Sequence, residues 1–301
     1  PIMAPFYFLF FGLMLSDAAY GIILSLACFA LLKKFKLEGT MKKMVTMFFW
    51  CGISTFFWGA LFGGWFGDAV AVFSKTFLGR EIVINPIWID PLQEPMTLLI
   101  FSLILGAIHM FVGMGMQAYM LIKNGKALDA LFDVGLWYML LIGLVLFGVG
   151  SMITPALSSV GKWMALIGAV GIVVTGGRNK KGFGKITGGF GSLYGITNYL
   201  SDVLSYSRLL ALGLATGVVA KVVNILGSLA GSGVVGIIVF IAVFLFGTVF
   251  NLAINALGAY VHSCRLQYVE FFGKFYTGGG KPFEPFVGKT KFVKIVNKED
   301  K

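Results

Sequence analysis

The 301-residue chain is 58% hydrophobic and only 12% charged, against about 25% charged residues in soluble domains. With a mean hydropathy of +0.89, this composition points to an all-α, polytopic membrane protein and away from a soluble enzyme. The net charge of +11 is carried by lysines in short loops, so it reports membrane topology and argues for no nucleic-acid partner.

Apolar segments run over 5–32, 44–72, 96–122, 129–152, 160–176, 188–228 and 234–272. Position 1 is Pro and no signal-peptide n-region precedes the first apolar run, so the sequence is expected to be a fragment that has lost an N-terminal part. Segment 5–32 admits two readings. It is either a single span or a shallow hairpin turning near SDAAYG (16–21), and Asp17 favours a turn or a packed site over a lipid-facing helix. Two complete spans would need about 40 residues.

The loops KKFKLEGTMKK (33–43), KNGK (123–126) and RNKKGFGK (178–185) are basic and belong in the cytoplasm by the positive-inside rule. The 73–95 loop is not net positive, and the connections near 153–159 and 229–233 carry no charge, so these lie outside. Alternation then places the C-terminus in the cytoplasm. The last two segments approach 40 residues each, about 60 Å of helix against a hydrocarbon thickness near 30 Å. They must tilt, kink or protrude, and Gly188, Gly189 and Gly191 offer a break in the first of them.

Both long segments contain an arginine: Arg208 in SDVLSYSRLLALGLATGVVAKVVN (201–224) and Arg265 in FNLAINALGAYVHSCRLQYVEFF (250–272). A guanidinium stays charged when buried, and a charge at mid-membrane costs roughly 3 kcal/mol on insertion scales. Two of them argue for a polar pathway or an anionic partner. At 100° per residue, Asn251, Asn255, Gly258, His262 and Arg265 share one face, with Ser263, Gln267 and Glu270 forming an adjoining stripe. Ser201, Ser205 and Arg208 share a face that continues as Ala211 and Ala215, while Asp202 points elsewhere. Interhelical hydrogen bonding is the plain alternative for the Ser and Asn positions, at about 0.6 kcal/mol each. With the arginines in register, the stripes are expected to line a hydrated ion path.

Other features carry less. His109 is a lone polar group expected to be satisfied by a neighbour, and the Met and Gly residues of MFVGMGMQAYM suit helix packing. Trp50, Trp58, Trp65 and Trp88 suit interfacial anchoring. Cys28, Cys51 and Cys264 read as buried hydrophobes. No spacing suggests a metal site, a cofactor or a nucleophile triad, and GGRNKKGFGK lacks the phosphate-loop pattern.

LSYSRLLALGLA, HSCRLQYVEFFGKFYTGGGKPFEPF, FYFLFFGLMLSDAAYG and GAIHMFVGM together resemble the membrane domain of subunit a, or I, of rotary V-type and A-type ATPases. The resemblance covers essentially the whole chain, and the short loops are similar to prokaryotic members. It implies a non-catalytic, ion-translocating stator subunit without a nucleotide site, in a bacterial or archaeal cell membrane. The implied partners are a rotor ring of c/K-type proteolipid subunits, a large N-terminal cytoplasmic domain of the same subunit, peripheral stalk subunits and the lipid bilayer. It also tips 1–32 toward the hairpin, for eight membrane segments. The implied layout is a helical scaffold over 1–186, two tilted ring-facing helices over 187–275, and a cytoplasmic tail over 276–301.

Carried over by motif, Arg208 and Arg265 would face the ring carboxylate. Asn251, Asn255 and Thr216 would line an outer half-channel; Ser201, Ser205, Gln267 and Glu270 an inner one, with His262 beside the arginines. Glu270 has an alternative partner in Lys274, four residues on. Vacuolar proton pumps carry an acidic residue where this chain has Asn255 and a His where it has Thr216, which leaves the ion open between H+ and Na+. A secondary transporter of an anionic substrate is the competing function class, although no internal repeat supports it.

Overall fold

In the computed structural model, the described residues are 2–80, 82–176, 184–229, 231, 233–276, 278–281 and 283. Most of the basic 178–185 loop and most of the 276–301 tail therefore lie outside the described residues. Among the described residues the chain is all helical, with no strand. Six helical stretches of the described residues are long and apolar enough to cross a membrane: Gly39–Phe62, Pro95–Lys123, Ala127–Gly150, Pro155–Gly176, Gly191–Ser228 and Val234–Phe275.

The N-terminal segment is a pair of shorter helices, α1 (Met3–Leu15) and α2 (Ala18–Lys34), broken at Ser16–Asp17. Ser16 takes a left-handed conformation at φ +36°, and Asp17 is extended. The Asp17 carboxylate then caps α2, accepting from the backbone N–H groups of Ala19 at 3.0 Å and Tyr20 at 3.2 Å. Both helices pack on α3 (Gly39–Phe62). Along α3, Gly12 of α1 meets Ser54 and Phe11 meets Phe48, whereas Ala18, Gly21 and Ser25 of α2 meet Gly59, Phe56 and Gly52 in turn. The residue order makes α1 parallel and α2 antiparallel to α3, so 1–32 is a hairpin and the single-span alternative is excluded.

Glycine makes these approaches possible. A Cβ on Gly59 would lie 2.0 Å from the Ala18 backbone nitrogen, a separation that no side chain permits. The same device joins α7 (Leu136–Ile153) to α8 (Pro155–Gly176), where Gly143 and Gly161 abut backbone atoms of Ala165 and Phe147.

The centre of the molecule is α1 itself. Phe10, Phe11, Leu13, Met14 and Leu15 are fully buried among α3, α11 (Ser207–Ser228) and α12 (Val234–Arg265). Between these regions run α4 (Ala69–Leu78), α5 (Pro95–Lys123) and the one-turn α6 (Ala127–Ala130), which enters α7 through a π-turn at Leu131–Gly135. Trp58 joins this interior by packing on Phe62, Trp88 and Phe101, so it is no interfacial anchor. The expected break at Gly188–Gly191 is displaced. Helix α9 (Gly184–Tyr194) runs through those glycines, and the chain is interrupted instead at Gly195 and at Ser205–Tyr206, on either side of α10 (Ile196–Leu204). Two elements close the chain: a π-turn over Leu266–Phe271 and the single turn α13 (Phe272–Phe275).

Candidate functional site

The two arginines sit beside opposite irregularities of backbone winding. Before Arg208 the chain overwinds, with i→i+3 bonds from Tyr206 N–H to Val203 O (3.1 Å) and from Leu209 N–H to Tyr206 O (3.0 Å). After Arg265 it underwinds into the π-turn. Such turns re-aim side chains relative to a regular helix and recur at functional sites.

Across the gap, Arg208 Nη2 donates to Glu270 Oε1 at 3.5 Å, with the Arg208 side chain 22% exposed and Glu270 only 2%. Tyr206 and His109 form the wall behind them. His109 Nδ1 and the Tyr206 hydroxyl are 2.7 Å apart, and the imidazole stacks on Phe271 at 4.5 Å and 2°. Gln267 is buried beside this wall. Glu270 Oε2 and Arg208 Nη1 are buried with no partner among the described residues, and His109 Nε2 and the Gln267 carboxamide lie near each other without a well-formed hydrogen bond. That concentration of unmet hydrogen-bonding capacity suits a hydrated cavity and not a dry core.

Arg265 is exposed and makes no ion pair among the described residues. His262, partly buried, lies three residues before Arg265 on α12. Ser205 donates to the Ser201 carbonyl at 3.0 Å, and Ser201 is exposed beside it.

The asparagines belong to a second cluster. Asn251 Nδ2 donates to the Tyr20 hydroxyl at 2.9 Å and to the Thr216 carbonyl at 3.2 Å. Asn255 Nδ2 donates to the Asn251 carbonyl at 3.0 Å and also to its side-chain oxygen. Thr216 donates to the Leu212 carbonyl at 3.0 Å. All three are buried, Asn251 and Thr216 against the α1–α2 hairpin through Tyr20 and Met14.

These positions revise the helical stripes. The buried side of α12 and the following π-turn runs Asn251, Asn255, Ala259, Ser263, Gln267 and Glu270. His262 and Arg265 lie on its more open border. Steps of four rotate a face by about 40° each on a regular helix, so the buried side winds around α12, and a fixed wheel put Arg265 with the asparagines. The Glu270–Lys274 alternative is also overturned. Lys274 instead pairs with Asp202 and lies 4.1 Å from the centre of the Tyr199 ring, leaving Glu270 to Arg208.

Several residues here were not legible as site residues. Tyr206 lies within LSYSRLL, but its hydroxyl points at a helix about 100 positions earlier, and that contact leaves no local spacing signal. Tyr20 and the Asp202–Lys274 pair are hidden for the same reason. Asp17 was visible as an intramembrane acid, and besides its two capping contacts it accepts from Phe66 N–H (3.2 Å) and Gly67 N–H (3.0 Å). It borders a cavity of about 220 Å³ with Asp68, Asp90, Gly213, Gly217 and Lys221.

Residues 196–287, spanning α10 to α13, match the model of the V-type ATPase 116 kDa subunit family. The chain is 37% identical to the A-type ATP synthase subunit I of Thermococcus kodakarensis, over 98% of this chain and 44% of that protein. It is 34% identical to the subunit I of Methanocaldococcus jannaschii, over 97% of this chain and 45% of that protein. The V-type ATP synthase subunit I of Borreliella burgdorferi is 28% identical, over 88% of this chain and 45% of its own length. The chain thus spans somewhat under half the length of these relatives. With matched helices that carry Arg208, Arg265 and Glu270, the chain belongs to the subunit a/I family of V-type and A-type ATPases.

Proposed function

We propose that this chain is the ion-translocating, non-catalytic stator part of a rotary ATPase. The observation that carries this reading is Arg208, a permanent cation inside a 38-residue apolar helical stretch, still 22% exposed at its side chain. Charges of this kind in a membrane segment mark ion pathways. An ion-free carboxylate passing through lipid is costly, and a fixed guanidinium stabilises it in transit. Arg208 and Arg265 would together face the carboxylate of a ring subunit, with the 187–275 stretch against the ring and 1–186 as scaffold.

The inner half-channel is assigned to Ser201, Ser205, Gln267 and Glu270, where unpartnered polar atoms gather. The outer one is assigned to Asn251, Asn255 and Thr216, with His262 between the two sets. H+ and Na+ fit hydroxyl and amide linings equally. The partners in this reading are a ring of c/K-type subunits, an N-terminal cytoplasmic domain and peripheral stalk subunits. The setting is a prokaryotic cell membrane with the chain's C-terminus in the cytoplasm. Affinity purification of the tagged chain from its host membrane in mild detergent tests this. A ring of small hairpin subunits should co-purify, and recovery of the chain without one would overturn the proposal.

A further inference from the structure

Glu270 is a carboxylate sunk in the protein, 2% exposed, and Arg208 is the one cation within bonding reach of it among the described residues. Lys274, the cation that helical spacing would offer, is held by Asp202 and stacked over Tyr199. The Arg208–Glu270 contact is single-pronged. One guanidinium nitrogen meets one carboxylate oxygen at 3.5 Å, while Arg208 Nη1 and Glu270 Oε2 stay unpartnered. Guanidinium and carboxylate can engage through two parallel hydrogen bonds, so each partner here keeps capacity in reserve. Their placement is asymmetric too: Glu270 lies behind, and Arg208 reaches toward the open flank.

The geometry points to Glu270 as the resident counter-ion of Arg208, a carboxylate of this same chain that neutralises the guanidinium whenever no external carboxylate stands opposite it. This rests on the functional reading above. A buried guanidinium with no counter-ion is costly, so it would hold an arriving carboxylate tightly and release it slowly. With Glu270 behind it, arrival and departure become an exchange of partners, and the single-pronged contact is the one that can yield. Glu270 acts through Arg208 and is a positioning residue. The buried groups around it, Tyr206 and His109 on the wall and Gln267 beside them, bear no charge of their own that could take its place.

The test uses the complex assembled with its ring. Glu270→Gln should keep ring association and ATP hydrolysis by the detached catalytic part, while slowing coupled transport by about tenfold, a barrier change of about 1.4 kcal/mol. Glu270→Asp, which keeps the charge, should recover part of the rate. Infrared difference spectra of the parent against Glu270→Gln identify the Glu270 carboxylate bands. Those bands should shift between the isolated chain and the ring-bound chain, a response that a purely structural carboxylate would not give. If Glu270→Gln does not assemble, the same comparison made with Glu270→Asp decides. Unshifted bands, or wild-type transport by Glu270→Gln, overturn the inference. Either result leaves the stator reading standing, which falls separately if Arg208→Ala still pumps.

Discussion

Arg208 and Glu270 stand 62 residues apart in sequence and 3.5 Å apart in space, one following an overwound turn and the other within an underwound one. The proposed transport chemistry is concentrated where these two irregular windings meet.

Replacing Arg208 by Ala should abolish coupled ion transport, and combining it with Glu270→Gln, which avoids an uncompensated buried carboxylate, should leave the complex assembled. Arg208→Lys should also fail. An ammonium can lose its proton on burial and lacks the planar fork that engages a carboxylate. ATP-driven ion uptake into vesicles containing the variant complex measures both, and retained pumping by either variant contradicts the role.

Arg265 should act together with Arg208, since the two are the arginines that the matched, adjoining helices α11 and α12 carry into apolar stretches. Arg265→Ala is expected to lower transport by at least about tenfold, and adding it to Glu270→Gln, which acts through Arg208, should give less than the sum of the two effects in free energy. Strictly additive rate losses would mean that the two cations work independently.

The assignment of two access paths makes a sidedness prediction. Cysteines at 255 and 270 should react with small polar thiol reagents from opposite faces of the membrane, although both parent side chains are nearly buried, at 6% and 2% exposure. Reaction therefore reports water reaching them through the protein. Modification of both from one face would refute the assignment.

Asp17 offers a test of stability. Its carboxylate accepts four backbone N–H groups, and Asp17→Ala leaves those donors without it. A lost cap and buried unsatisfied donors together cost about 2–4 kcal/mol, read as a lowered Tm of the detergent-solubilised protein. An unchanged Tm would show that water replaces the carboxylate at no cost.

The helices and their membrane character were readable from the sequence, because apolar runs of spanning length register directly in composition. The arginines were readable because a charge in such a run is conspicuous. What escaped depends on winding and on distant contacts. Asn251 and Arg265 share a wheel face at 100° per residue, yet one is buried and the other exposed, since the buried side of α12 drifts in steps of four. The Lys274–Asp202 pairing displaced a local Glu–Lys spacing that looked sufficient by itself. His109 was expected to find a satisfying neighbour, and it finds one in Tyr206, about 100 positions later in the chain.

The Asp17 contacts also impose an order on biogenesis. Two of its four donors, Ala19 and Tyr20, emerge from the ribosome with it, but Phe66 and Gly67 follow about 50 residues later. Until α3 has been made and its C-terminal end has reached Asp17, the hairpin tip lacks two of its four donors and the glycine seam along α2 has nothing to close against. The hairpin is therefore synthesised before the elements that fix it, and must wait at the membrane for its own lock.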